Sequence, residues 1–344
     1  MNYCSKPFEE LEIDVDGNCY CCCRWWNNAY CFGNIFEQTI EEIWNGDNAQ
    51  KLRQSILDES YKYCNTNICL KSFNKNINYN IVTDYPSQIS LCYDYTCTAK
   101  CVFCNDEIKK MSAEESNKWK EVEKTKLLPL LKNAKFIRLN MTGELFVSEH
   151  SKSFVKNIAE KYPNIKFEIV SNGIYASKEN IQELGIEDKI ESIKFSLPSM
   201  NKRTYKKLVR NGNLSKVLEN LQYISLLKKS GKINDFRLNF VVCSLNYKEI
   251  LDYLNKAKKL DAVVDIMMLN KNDESTEFLK KFDLYNVLSP KHPDYNSFIK
   301  IINSKKIKEF NNLNINQEFY KLEKVKQSFA VKLKNFFNKF FLYF

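Results

Sequence analysis

Cys97-Thr98-Ala99-Lys100-Cys101-Val102-Phe103-Cys104 sets three thiols in one short loop, with three residues and then two between them. Three thiolates this close can hold three corners of a cubane iron–sulfur cluster. The fourth iron is then left without a protein ligand, and a cofactor can bind and react there. Zinc is the competing occupant. It prefers four closed ligands, and Cys92 offers a fourth, although a strand residue at that position is equally at home buried.

The loop follows a strand signal at Ile89–Tyr93, and similar signals recur at Phe136–Met141, Lys166–Ser171, Ser192–Leu197, Phe236–Cys243 and Ala262–Leu269. Helical periodicity fills the intervals over Ala113–Lys132, Ser151–Tyr162, Lys178–Leu184, Thr204–Lys229 and Tyr247–Lys259. Strands alternating with helices read as βα units on a parallel sheet, an α/β fold whose site lies at the carboxyl ends of the strands. The unusual polar residues fall at those ends. Besides the cysteine loop they are Thr142-Gly143-Glu144, Ser171-Asn172-Gly173, Ser196, Cys243-Ser244 with Asn246, and Asn270. Turn chemistry accounts for some of them singly. Together they outline one rim.

Further out the chain divides into three parts. Residues 1–80 are cysteine-rich, with Gly17, Gly33 and Gly46 as turn signals and one expected helix over Thr39–Leu57. Residues 81–275 carry the βα alternation. Residues 276–344 form a helical extension. Its end, from Leu322, repeats Val325, Phe329, Leu333, Phe336, Phe337, Phe340 and Phe344 on a helical period among lysines, a helix that either docks on a membrane surface or partner or packs on the barrel and closes its core.

Composition narrows the function classes. The 344 residues are 44% hydrophobic and carry a formal charge of +10, so a folded core is expected. The thirteen cysteines are clustered rather than spread as a secreted disulfide framework, and no signal peptide or membrane-length apolar run is evident, which points to a reducing cytoplasm. With two histidines, His150 and His292, a histidine metal site or catalytic triad has no support. No Walker loop and no nucleic-acid motif is present.

Residues 81–275 resemble the radical S-adenosylmethionine (radical SAM) enzymes. The resemblance rests on the C-x3-C-x2-C loop with Phe103 before its last cysteine, on Leu139-Asn140-Met141-Thr142-Gly143-Glu144, on Ser171-Asn172-Gly173, and on Phe195-Ser196-Leu197-Pro198 with Arg210-Asn211-Gly212. It implies a partial, six-stranded (βα)6 TIM-like barrel. Cys97, Cys101 and Cys104 would hold a [4Fe–4S] cluster that chelates SAM, with Phe103 near the adenine. Gly143 and Glu144 would meet the SAM ammonium, Asn172 would lie beside them, and Ser196 and Arg210 would meet the carboxylate or ribose. Pro198 stands where the family's subgroup usually has Asp.

The first part resembles the SPASM or shorter twitch auxiliary-cluster domain. The matching pieces are Cys4-Ser5-Lys6-Pro7-Phe8, Asp16-Gly17, Cys22-Cys23-Arg24-Trp25, Gly33-Asn34-Ile35, Glu42-Ile43-Trp44-Asn45, Leu52-Arg53, and Cys64 with Cys69. The resemblance implies a second [4Fe–4S] cluster on Cys4, Cys22, Cys64 and Cys69, with Cys19, Cys21, Cys23 and Cys31 crowding the same region. The domain precedes the barrel here, whereas it usually follows it. Taken together, the resemblances imply reductive cleavage of SAM, a reducing electron donor as partner, and a peptide, sugar or related small molecule as substrate. The alternative is a non-catalytic iron–sulfur or zinc protein on a degenerate barrel.

Overall fold

The computed structural model describes residues 3–22, 30–65, 73–74, 85–104, 107–139, 142–269, 276–311 and 313–315. The C-terminal lysine–phenylalanine segment and Cys69 lie outside the described residues, as do Cys23 and Asn270.

Most strands join one sheet. In chain order the strands are β1 (Tyr3–Cys4), β2 (Glu10–Asp14), β3 (Asn18–Tyr20), β4 (Gly33–Asn34), β5 (Phe73–Asn74), β6 (Gln88–Cys92), β7 (Phe136–Leu139), β8 (Lys166–Ser171), β9 (Ile190–Ser196), β10 (Asp235–Val242), β11 (Val263–Met268) and β12 (Leu313–Ile315). The sheet order is β12-β11-β10-β9-β8-β7-β6-β2-β3-β4, while β1 pairs antiparallel with β5. Strands β6 to β11 lie side by side in sequence order, each parallel to the next. They are the six βα units expected from the hydrophobic pattern. The sheet is open, so the barrel is partial. It also runs past both ends of the six. β12 adds a parallel strand beside β11, and β2 pairs parallel with β6 from Glu10↔Gln88 to Asp14↔Cys92. The cysteine-rich part therefore shares the barrel's own sheet.

β10 shows why these residues make strands. Phe236, Leu238, Phe240 and Val242 are buried on one face, and Asp235, Arg237, Asn239 and Val241 alternate with them as half-buried residues on the other. The second face carries charge. Arg138 bridges Glu10 at 2.5 Å and Glu168 at 2.6 Å, while Asp265 holds Lys194 at 3.2 Å and Arg237 at 3.0 Å. These partners come from β2, β7, β8, β9, β10 and β11, so the inward face carries interlocked opposite charges. Lone charges there would be costly.

Two expected helices are each split in the structure. Thr39–Leu57 becomes Ile40–Asn45 and Asp47–Leu57, because Gly46 is extended at φ −67, ψ 168. The first piece starts with a capping box in which Thr39 accepts from the Glu42 N–H and Glu42 accepts from the Thr39 N–H. Thr204–Lys229 becomes Lys202–Leu208 and Leu214–Lys229. The break has a tertiary cause. Val209 leaves the helix to bridge Cys101, and the Asn213 side chain caps the new helix by accepting from the Lys216 N–H. The expected Ala113–Lys132 helix holds as far as Val122, then widens into a π-turn over Glu123–Leu127 ahead of Pro129.

Candidate active site

The cysteine loop is positioned from three directions. Beneath it, Asp94 accepts hydrogen bonds from the Ser148 and Ser151 hydroxyls and from the Thr96 N–H at 2.9 Å. From the β7 side, Gly143 N–H donates to the Asp94 carbonyl at 3.0 Å and Glu144 N–H to the Thr96 carbonyl at 2.7 Å. This approach requires glycine, since a Cβ on Gly143 would fall 2.3 Å from the Thr96 oxygen. From the β9 side, Val102 N–H donates to the Leu208 carbonyl at 3.0 Å and Arg210 N–H to the Lys100 carbonyl at 3.1 Å. The Asn211 side chain accepts from the Lys100 N–H at 2.6 Å and donates to the Thr98 carbonyl.

The result is a cavity of about 260 Å³ at the carboxyl ends of the strands, lined by Cys97, Cys101, Cys104, Phe103, Gly143, Ser171, Asn172, Ser196, Pro198 and Asn239 among others. Residues as far apart as Cys97 and Asn239 thus converge around three thiols. Cys97 and Cys101 are half-buried and Cys104 is exposed. Burial pushes the Cys97 thiol up to about 11, against an opposing hydrogen bond from the Ala99 N–H, and the Cys101 thiol up to about 12. Thiols held this way release protons when a metal takes them. Among the described residues no three Cys, His, Asp or Glu side chains already stand at metal-binding separation. The soft, three-thiol donor set facing an open cavity nevertheless suits a cluster with one unliganded iron. The Asn172 amide lies 3.9 Å from the Cys97 sulfur, in position to donate to it. Cys92 does not line this cavity, so the closed zinc site built with it gains no support.

The expected residues are placed as follows. Phe103 stands at the cavity edge with its ring against Phe278 at 5.5 Å. Gly143, Asn172 and Ser196 line the cavity. Glu144 does not. It is 1% exposed and sits behind the wall, its Oε1 accepting from the Ser171 hydroxyl at 2.8 Å and its Oε2 from the Asn172 N–H at 2.7 Å. Burial lifts its pKa to about 7 despite those donors. Arg210 points elsewhere, into a separate outer groove with Val102, Lys207, Glu277, Lys281 and Tyr285.

The roles of three further residues become visible here. Asp94 and Asn211 fix the loop, and each reads in sequence as an ordinary turn residue. Asn239 on β10 lines the cavity with its buried side-chain oxygen lacking a hydrogen-bond partner. An amide on the inward register of the strand, two residues beyond Arg237, is the signal that could have found it.

Around the N-terminal cysteines the setting is closed. Cys19, Cys21 and Cys22 are buried in the apolar core, and Cys4, Cys31 and Cys64 are half-buried. The Cys21 and Cys22 sulfurs are 3.6 Å apart. That contact, followed by burial, holds the Cys22 thiol well above its ordinary range. Arg53 is fully buried nearby. Its Nε donates to the Pro7 carbonyl at 2.8 Å, and its guanidinium lies over Trp44 at 4.3 Å. A buried guanidinium whose field reaches Cys21 suits a site that carries thiolates.

Residues 4–69 match the SPASM family, an iron–sulfur cluster-binding domain. The match covers the first part of the chain and is a similarity to an iron–sulfur cluster-binding domain. No curated protein matches the chain in sequence. Among solved structures it is similar to TYW1 with a lysine–pyruvate adduct bound, at 15% identity and TM-score 0.36 over 53% of this chain and 63% of that one. It is also similar to HydG, a maturase of the [FeFe]-hydrogenase, at 16% identity and TM-score 0.40 over 67% of this chain and 52% of that one. A third is BtrN in complex with AdoMet and 2-DOIA, at 17% identity and TM-score 0.28 over 65% and 85%. The chain thus spans less than two thirds of the length of the first two.

Proposed function

We propose that this chain is a radical SAM enzyme with an auxiliary iron–sulfur cluster. The observation that carries the reading is the convergence of Cys97, Cys101 and Cys104 with Asn172 and Ser196 on one cavity at the strands' carboxyl ends. A [4Fe–4S] cluster on those three cysteines, with SAM on its open iron, would supply a 5′-deoxyadenosyl radical for hydrogen abstraction from a substrate. The chain's own residues do the rest. Cys97, Cys101 and Cys104 bind the cluster. The Asn172 amide orients Cys97. Glu144 places a negative charge one hydrogen bond behind the wall, which favours the ammonium end of SAM on that side. Ser196 and the unpartnered Asn239 oxygen offer hydrogen-bonding groups for ribose or substrate hydroxyls. Phe103, its ring edge against Phe278, lines the cavity. Arg210 lines the neighbouring outer groove. In the SPASM domain, Cys4, Cys22, Cys64 and Cys69 are the ligand set we assign, with an electron-relay role toward a peptide or small-molecule substrate.

The test is anaerobic reconstitution with iron and sulfide, addition of SAM and reductant, and quantification of 5′-deoxyadenosine and methionine. Formation of both is expected. An intact, reducible cluster that yields neither product would instead favour a non-catalytic electron-transfer protein.

A further inference from the structure

The cavity wall is uncharged, and two cations continue it on the concave face of the sheet. Among the described residues that line the cavity there is no Asp, Glu, Lys, Arg or His. Strand alternation puts Lys194 on the face of Ser196 and Arg237 on the face of Asn239, each two residues nearer the start of its strand. Lys194 is in register with Val170, which also lines the cavity, and on its other side with Arg237. The two cations therefore extend one row of the cavity wall across β9 and β10. Both hold Asp265, which is in register with Asn239, Lys194 Nζ at 3.2 Å and Arg237 Nη1 at 3.0 Å. Their burial is uneven. The Asp265 side chain is 10% exposed, whereas those of Lys194 and Arg237 are 34% and 30% exposed. The carboxylate lies behind and the cationic heads stand in front. Arg237 Nε donates to Asp235 at the start of β10, and its Nη2 has no partner among the described residues. Solvent reaches this side of the sheet, since Met267, two residues past Asp265, is 39% exposed.

We propose that Lys194 and Arg237 form an anion subsite, which holds a carboxylate or phosphate group of the substrate while the uncharged reacting part lies in the cavity. The proposal rests on the radical SAM reading, which makes the cavity the place of reaction, and it narrows the substrate to an anionic molecule. An ammonium and a guanidinium side by side suit an oxyanion. The first supplies a compact charge, the second a planar fork of N–H donors. Asp265 fixes both heads in advance, so little side-chain freedom is lost when the anion arrives. Asp265 and Asp235 also balance the two cations before substrate binds, which keeps an uncompensated charge off the half-buried face. A purely structural ion-pair network is the competing use. Arg138 has that form, with Glu10 on one side and Glu168 on the other. Lys194 and Arg237 differ from it, because they are like charges in register on neighbouring strands and share one carboxylate. Like charges directly opposite each other destabilise a sheet, so this placement serves binding rather than the fold.

The experiment uses the full-length reconstituted protein with SAM, kept anaerobic. Phenylglyoxal labels accessible guanidinium groups, and peptide mass spectrometry reads the labelling of Arg237. The probes are inorganic phosphate, glutarate and its neutral diamide, glutaramide, with sodium chloride matched for ionic strength. Arg237 should be labelled without a probe. Phosphate or glutarate should protect it in a saturable way, at concentrations about tenfold or more below any effect of glutaramide or chloride. Lys194→Gln should raise the half-protecting concentration about tenfold, and Lys194→Arg, which keeps the charge, should change it much less. Stronger protection by phosphate assigns a phosphate ester and stronger protection by glutarate a carboxylate, and both support the subsite. An Arg237 that resists labelling, equal protection by glutaramide or chloride, or an unchanged half-protecting concentration in Lys194→Gln would each overturn it. Should Lys194→Gln fail to fold, wild-type protection and Lys194→Arg decide. Protection needs no turnover, so the two readings separate. 5′-Deoxyadenosine formed without protection of Arg237 overturns the subsite alone, and protection without SAM cleavage overturns the radical SAM reading beneath it.

Discussion

The two cysteine regions share one sheet and differ in what surrounds their thiols. In the loop after β6, Cys97, Cys101 and Cys104 face a cavity, and their neighbours are an amide, hydroxyls and a buried carboxylate. Around β3, Cys19, Cys21 and Cys22 are packed among apolar side chains with a buried guanidinium nearby. An open setting lets an iron take a further ligand. A closed one shields a cluster from water and leaves electron transfer as its main use. The same residue type thus occupies two settings, and the difference lies in backbone position. The first set sits on a loop at the carboxyl end of a parallel strand, where polar residues gather. The second sits on and beside antiparallel strands at the sheet edge.

The sharpest way to break this contrast is to remove one set. Cys97→Ala/Cys101→Ala/Cys104→Ala should abolish SAM cleavage while the protein keeps roughly half of its iron, that of the SPASM cluster. Iron analysis and product assay on the same preparation check it, and unchanged iron would mean that the loop holds no cluster.

Gly143→Ala tests whether the open site depends on the crossing of two loops. A Cβ there meets the Thr96 backbone rather than a flexible side chain. Overpacking of this kind costs about 1–3 kcal/mol, so a lowered urea midpoint and faster iron loss from the loop are expected, with the SPASM cluster retained. Equal iron release from wild type and variant would show that the loop can relax.

Glu144→Gln sharpens the electrostatic half of the comparison. Replacing the buried carboxylate, whose charge acts through the wall rather than by a hydrogen bond to SAM, should weaken SAM binding without loss of iron, read by titration of the reconstituted proteins. The wild-type affinity should also decline as pH falls through about 7, where Glu144 takes up its proton, and the Gln variant should not share that slope. In the metal-free protein the sign reverses for stability. The folded pKa lies above the unfolded one, so this group's contribution is full below the ordinary carboxylate range and is lost as pH rises through about 7. Denaturant titrations at pH 5 and 8 would reveal it as a difference between wild type and Glu144→Gln.

The smallest effect is expected from Asn211→Ala, which removes two hydrogen bonds at an exposed clamp. A loss near 1 kcal/mol and a modest rise in iron release from the loop are expected, measured by thermal melts and chelator kinetics. No change in either would leave the Val102–Leu208 and Arg210–Lys100 hydrogen bonds as sufficient supports.

Local pattern determined much of this molecule. The six parallel strands could be placed from period-two hydrophobic runs alone, because each strand buries one face whatever its neighbours are. The cysteine spacing was equally local, since Cys97, Cys101 and Cys104 lie on one short loop, whereas the set assigned in the first part of the chain is spread from Cys4 to Cys69. Tertiary structure decided what depends on distant partners. The Thr204–Lys229 periodicity is continuous in sequence, yet the helix breaks at Val209 because the cysteine loop needs a backbone partner there. Glu144 and Arg210 were assigned alike to the cofactor. Packing set one behind the cavity wall on Ser171 and Asn172 and turned the other to the outer groove. Asn239 shows nothing until strand register brings it beside Ser196. Side-chain direction across a sheet is fixed by register and by the elements packed on it, and those are set by contacts between residues far apart in the chain.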